Sequence, residues 1–275
     1  MSEPVILVPL DGTKQALAAL PVAMVLGEIE RAALHILHVG EHELTSEESL
    51  SQMRRETPLL GGVTINTRVG TPASEILQAA GAIEPRLIVM CKHSGAERGK
   101  MLGRTAMRVL HDAHCPMVLV PPERGATPWH LHHVLVPHDG TPSTSGALRP
   151  AAELAEHGRA ELLVVHVTDV RAAPAEPGSL TTPRYVDQPQ HEWPAWASEF
   201  IDRLACGCPL GQLHVRILLA HGNAAAEILR LSEKQSTDLI VLAWRGIWEV
   251  PRAVTIKDIL REARCPIMVV RTLKS

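Results

Sequence analysis

The sequence lacks a strong charge of either sign: 27 lysines and arginines stand against 30 aspartates and glutamates, a net charge of −3 over 275 residues. Proteins that bind nucleic acid or anionic membranes through bulk electrostatics carry a marked basic excess, so neither partner is expected. Long hydrophobic runs are missing as well. The apolar stretches VILVPL, LIVM, ELLVV and MVLV are far shorter than the roughly 20 residues needed to span a bilayer. The start, MSEPVILVPLDG, has no positive region ahead of an apolar one, so no secretory leader is expected. Cysteine is scarce and odd in number, five in all. That fits a reducing compartment better than a disulfide framework, and the expected location is the cytoplasm. Catalytic signatures are missing too: G-x-S-x-G, P-loop and H-E-x-x-H spacings do not occur. Neither do the H-x-G-H or S-G-G-x-D-S loops of α/β folds that transfer adenylyl groups. With no nucleophile–base pair in view, the chain reads as a non-enzyme. What is present is 45% hydrophobic and 21% charged residues, enough for a packed core.

The length suggests roughly two domains, and an internal repeat confirms that division. Shifted by 128, LVPLDGT (Leu7 to Thr13) falls on LVPHDGT (Leu135 to Thr141) with six of seven residues identical. At the same shift, His38-Val39 falls on His166-Val167. Shifted by 152, Gly70, Ala73, Glu75, Ile76 and Leu77 fall on Gly222, Ala225, Glu227, Ile228 and Leu229. Cys115-Pro116 falls on Cys265-Pro266 at a shift of 150. Three blocks in one order are a duplication. The second copy carries a net insertion of 24 residues, placed in the Pro-rich stretch at about 171–194. The expected domains are 1–121 and 132–275, joined by a short linker, 122–131, of Pro, Gly and charged residues.

Each copy alternates short β-branched runs with Ala- and Leu-rich stretches of helical spacing. Strands are expected at Val5–Val8, Leu34–Val39, Val63–Val69, Leu87–Met90 and Met117–Val120. Their counterparts are Val134–Val136, Leu162–Val167, His214–Leu219, Leu239–Leu242 and Ile267–Val270. Helices are expected at Ala16–Ile29, Pro72–Ala82 and Arg104–His111. Runs that are apolar throughout suit strands covered on both faces, so each copy reads as an α/β doubly wound domain of five strands and four helices. Pro21 and Pro150 fall inside the first helix of each copy, either opening or kinking it.

Ligands of such sheets sit beyond the carboxyl ends of the strands. Asp11 and Asp139 follow the first strands and have two readings: a turn or helix cap, or a carboxylate offered to a ligand. After the fourth strand the first copy reads MCKHSGAERGKMLGRT, with Gly95, Gly99 and Gly103 before a helix and Thr105 in it. Glycines let backbone N–H groups approach a phosphate, and a helix start adds positive charge. Lys92, Arg98, Lys100 and Arg104 add basic charge. The second copy, LAWRGIWEVPRAVT, keeps only Gly246 and puts Trp244, Trp248 and Pro251 where close backbone approach is needed.

The layout V-P-x-D-G-T, H-V, G-x-P/A-A-x-E-I-L, L-I-V-M, a glycine loop and C-P-M-V-L-V, present twice, resembles the universal stress protein family. The resemblance implies a five-stranded parallel sheet of order 3-2-1-4-5 in each copy, with the two copies pairing through their last strands. In family members that bind ATP, the Asp after the first strand and the backbone ending the second hold the nucleoside. Carried over, these are Asp11 and Val39, and Asp139 and Val167 in the second copy. The family's phosphate motif, G-x₂-G-x₉-G-S/T, is altered here. Gly103 matches its last glycine, but Arg104 follows, Cys91 and Ser94 stand at the first two glycines, and the loop is one residue short. In the second copy Ala253-Val254 stand at the final Gly-Ser.

Fifteen histidines raise a metal site, but His132 and His133 point to opposite faces of a strand, and Cys206-Gly-Cys208 is too tight for the usual ligand hairpin. Cys115 and Cys265 precede apolar strands and read as buried thiols. Tyr185, Trp193 and Trp196 gather in the insert, as a contact surface or as cover for the sheet. The expectation is a cytoplasmic stress-response protein with ATP, and Mg²⁺ alongside it, in the first copy: Asp11 and Val39 at the nucleoside, Gly95, Gly99, Gly103 and Thr105 at the phosphates. The alternatives are a nucleotide-free scaffold for a protein or small apolar ligand and, third, a slow ATPase. Whether the tandem chain forms a further homodimer is left open.

Overall fold

The computed structural model describes residues 3–40, 51, 65–93, 101–168, 202, 213–248 and 252–272. The chain divides into two compact units. The first is Met1–His130 together with Leu260–Val269, and the second is Leu131–Ile259 with Val270–Ser275.

In the first unit, β1 (Val5–Leu10), β2 (Ala33–Gly40), β3 (Ile65–Val69), β4 (Leu87–Cys91) and β5 (Met117–Val120) form a parallel sheet. Its order is β3-β2-β1-β4-β5. The connecting helices are α1 (Ala19–Glu30), entered through a 3₁₀ turn at Ala16–Ala18, α2 (Pro72–Ile83) and α3 (Arg104–Asp112). In the central strands β1 and β4, Ile6 to Leu10 and Leu87 to Cys91 are buried without alternation, because helices cover both faces. The edge strand β3 is mostly half-buried or exposed. Gly27 in α1 lies so near β2 that a Cβ would meet Ala32 O and Leu34 Cδ2 at 3.1 Å. A larger residue there would push the helix off the sheet.

In the second unit, β6 (His133–Pro137), β7 (Glu161–Thr168), β8 (Val215–His221) and β9 (Leu239–Trp244) are parallel, in the order β8-β7-β6-β9. The helices are α4 (Pro142–Ser145), α5 (Leu148–Gly158), α6 (Ala224–Lys234) and α7 (Arg252–Glu262), whose last turn, from Leu260, belongs to the first unit. The last strand, β10 (Ile267–Arg271), runs antiparallel to β5 inside the first unit, with Met268 opposite Val118. Both copies are therefore doubly wound α/β folds.

Pro21 and Pro150 are each the third residue of their helix, where a missing N–H removes no intrahelical bond. They open the helices. The fourth helix expected in each copy falls in 41–64 and 169–212, nearly all of it outside the described residues, as does the insert. The stretch 122–131 is held by its own contacts. Arg124 donates to Thr127 O at 3.1 Å and Pro128 O at 2.6 Å, and Trp129 is buried.

Candidate functional site

At the carboxyl ends of β1, β2 and β4 the first unit has a cleft of about 240 Å³. It is lined by Asp11, Val39, Met90, Cys91, Gly103 and Thr105, among others. Four of the six sequence-expected residues therefore meet in one place; Gly95 and Gly99 lie outside the described residues.

The turn after β1 is set by D-G-T chemistry. Asp11 Oδ1 accepts from the Thr13 N–H at 2.9 Å and the Thr13 hydroxyl at 2.6 Å. Gly12 between them has φ 85°, a conformation glycine adopts without strain. Thr13 Oγ1 in turn accepts from the Ala16 N–H at 3.2 Å, at the first residue of the 3₁₀ turn. Asp11 thus builds the turn and also lines the cleft, so the two sequence readings are compatible. Beneath it, His38 at the end of β2 donates through Nδ1 to Leu10 O at 2.9 Å. This buried contact pins the end of β1 to β2.

Across the cleft, Gly103 is the N-cap of α3, with its N–H committed to Lys92 O at 2.8 Å. The next N–H groups, on Arg104, Thr105 and Ala106, are first-turn donors with no intrahelical acceptor. No acidic residue stands in that turn to compete for an anion. This end of α3 therefore fits a negatively charged ligand group, with the Thr105 side chain beside it.

Two neighbours in the cleft wall are held by contacts of their own. Cys91 is buried and donates to His93 O at 3.0 Å, and burial pushes its thiol up to about 12. Lys92 is engaged with backbone carbonyls. Its ammonium donates to the carbonyls of Leu260 (3.4 Å), Arg261 (3.3 Å) and Ala263 (3.4 Å), at the C-terminal end of α7. Burial holds it below the usual lysine range. No local sequence pattern shows this contact, because the acceptors lie some 170 positions away.

The second copy puts the same motif to different use. Asp139 Oδ1 accepts three hydrogen bonds, from the Thr141 N–H (3.0 Å) and the hydroxyls of Thr141 (2.5 Å) and Thr144 (2.8 Å). His138 replaces Leu10 and is buried; its Nδ1 accepts from the Gly140 N–H at 2.9 Å and its Nε2 lies 3.1 Å from Ser145 Oγ. Burial lowers its pKa to about 4, against a smaller raising effect from Asp139. His166 repeats the His38 contact, with Nδ1 2.9 Å from His138 O. The paired His-Val match at one shift was the signal: a polar residue repeated in an apolar strand needs a fixed partner. Val167 is half-buried at the end of β7. At the position matching Lys92 stands Trp244, buried, with its ring 4.7 Å from that of Trp248, and the Lys257 ammonium lies 5.7 Å from the Trp248 ring centroid.

The remaining expectations concern metals, thiols and membranes. Among the described residues no group of three or more His, Cys, Asp or Glu could hold a metal ion. Cys115 and Cys265 are half-exposed rather than fully buried, and burial still pushes the Cys115 thiol up to about 11. Cys206 and Cys208 lie outside the described residues. Among those residues no helix is long and apolar enough to cross a membrane.

Comparison with known proteins agrees with the architecture. The sequence model of the universal stress protein family matches residues 4–121 and again 130–271. A universal stress protein of Methanocaldococcus jannaschii is 31% identical over 138 residues, covering 42% of this chain and 80% of that protein. The crystal structure of a universal stress protein from Archaeoglobus fulgidus superposes with a TM-score of 0.64 at 17% identity, over 98% of this chain and 99% of that one. A functionally unknown protein from Pseudomonas aeruginosa gives 0.65 at 18% identity, over 98% and 93%. At these identities the two structures speak for the fold, and the twofold family match speaks for descent: the chain is a tandem member of the universal stress protein family.

Proposed function

We propose that this stress-response protein binds an adenine nucleotide, ATP with Mg²⁺, in its first copy, that its second copy does not, and that it acts by binding rather than turnover. The observation that carries the reading is the meeting of Asp11, Val39, Gly103 and Thr105 in one cleft. Asp11 offers a carboxylate to a ribose hydroxyl or base amino group. The backbone at Val39 borders the nucleoside, and the N-terminal end of α3, with its favourable dipole, faces the phosphate. The described cleft is small beside the roughly 300–1,000 Å³ of typical ligand pockets. It suits the nucleoside and the nearest phosphate.

Binding without turnover is supported by the state of the side chains around the cleft. The Cys91 thiol is held far above neutrality and the Lys92 ammonium is committed to carbonyls, so neither is an available nucleophile or base. In the second copy the threonines occupy Asp139 Oδ1, and Trp244 with Trp248 fills the end of β9.

Calorimetric titration of the nucleotide-stripped protein with Mg-ATP tests the reading. Saturable binding near one site per chain is expected. Asp11→Ala should weaken it about tenfold or more, the effect of deleting one charge-assisted hydrogen bond, while Asp139→Ala leaves it unchanged. No heat at millimolar ATP, or equal losses in both variants, would overturn it.

A further inference from the structure

Lys92 stands in the wall that the cleft shares with a second, larger groove of about 590 Å³. The lining of that groove includes Glu123 and Arg124 after β5 and Arg261 to Arg264 at the C-terminal end of α7. Three contacts of this single residue reach three different elements. Its N–H donates to Val120 O at 2.9 Å, on β5. Its carbonyl accepts from the Gly103 N–H at 2.8 Å, setting the start of α3 in the cleft. Its ammonium, on a residue only 4% exposed, donates to the carbonyls at the C-terminal end of α7.

A cation is favoured at a helix C-terminus, where unsatisfied carbonyls carry partial negative charge. All three carbonyl contacts measure 3.3–3.4 Å, beyond the usual 2.7–3.2 Å of N–H···O bonds. The ammonium is therefore shared among acceptors rather than seated tightly on one. A phosphate at the start of α3 is a stronger acceptor for an ammonium than a neutral carbonyl. One residue therefore touches both ends: its carbonyl holds Gly103 and its ammonium holds the last turn of α7.

We propose that Lys92 is a positioning residue that couples the cleft to the C-terminal turn of α7, so that an anionic ligand in the cleft draws on the ammonium and loosens that turn. The effect on α7 is the means by which occupancy would be felt beyond the cleft. A ligand shifts such an equilibrium only by its differential interaction with the two states, and here the difference is the ammonium's choice of acceptor. The ligand part of this proposal rests on the nucleotide reading above; the tie between Lys92 and α7 does not.

The test is amide hydrogen exchange on the full chain, wild type and Lys92→Met, each without ligand and with saturating Mg-ATP. Methionine keeps the buried stem and removes the charge, so global stability need not fall. In the ligand-free variant, exchange at residues 260–264 and at 103–106 should rise about tenfold relative to wild type, with the β1 amides unchanged. In the wild type Mg-ATP should speed exchange at 260–264, and in the variant it should add nothing there. Unchanged exchange at 260–264 in the ligand-free variant would overturn the proposal, as would equal ATP responses in the two proteins. If the wild type binds no Mg-ATP by calorimetry, the nucleotide reading falls and the coupling to occupancy falls with it. The ligand-free comparison still decides whether Lys92 ties the cleft floor to α7.

Discussion

The two copies carry the same D-G-T turn and use its aspartate differently. Asp11 is exposed and accepts from Thr13 alone, leaving its carboxylate at the edge of a cleft. Asp139 is half-buried and accepts from Thr141 and also Thr144, which the short helix α4 brings over it. One substitution beside the aspartate moves in the same direction. Leu10 lines the cleft, whereas His138 folds onto Gly140 and Ser145. A duplicated motif therefore preserves a turn without preserving a binding site. What separates them is how many local donors the carboxylate already satisfies.

The largest expected difference between the copies is in acid. His138 is held neutral, with its pKa lowered from 6.5 to about 4, so the unfolded chain binds more protons between those values and stability falls as pH drops from about 6.5 to 4. Below both values the loss is complete and no further change follows from this group. A shift of this size corresponds to about 3 kcal/mol, as an order of magnitude. His138→Leu, which restores the residue of the first copy, should flatten the fall. Amide exchange of β6 and β7 between pH 7 and 4 reads it, with β1 and β2 as the internal reference. Equal acid sensitivity of β6 in the variant and the wild type would remove this contrast.

Much of the fold was legible because its cause is local. Apolar runs of three or four residues bounded by turn residues became β1, β4, β6 and β9, each longer than its run by one or two residues. The cleft residues were legible for a different reason: Asp11 follows the first strand, where both a turn and a ligand contact were open, and Val39 came only through the resemblance to the universal stress protein family. His38 and His166 were matched in the repeat, yet their task as clamps on the first strand needs a partner 28 positions away, which spacing does not reveal. Lys92 looked like one more basic residue of a glycine loop. Its acceptors come from the end of the other copy, and that choice depends on how the chain closes rather than on any neighbour in sequence.

A smaller effect separates the two aspartates themselves. Removing Asp139 strips three accepted hydrogen bonds from a half-buried turn, at roughly 0.5–1.5 kcal/mol each before relaxation. Asp139→Ala should therefore destabilise the second unit by about 2 kcal/mol. Asp11→Ala removes two bonds at an exposed turn, for about 1 kcal/mol or less. Urea unfolding followed by exchange in β1 and β6 separates the units. If Asp11→Ala proved the more damaging to stability, the first copy's aspartate would be the structural one and the comparison would be reversed.

The smallest expected effect lies where the second copy is filled rather than open. Lys257 sits over Trp248 at 5.7 Å from its ring centroid and donates to Trp248 O at 3.0 Å, while Trp248 leans on Trp244. A cation over a half-exposed ring contributes about 0.5–1 kcal/mol, and the hydrogen bond a similar amount. Lys257→Met keeps a long side chain against the indole and deletes both contacts, so about 1 kcal/mol should be lost, with α7 and β9 exchanging faster. The tryptophan pair itself remains, because ring contact with Trp244 does not depend on the charge. Mg-ATP binding should accordingly stay at one site per chain. A second site appearing in Lys257→Met would mean that the ammonium, and not the packed indoles, is what keeps the second copy closed.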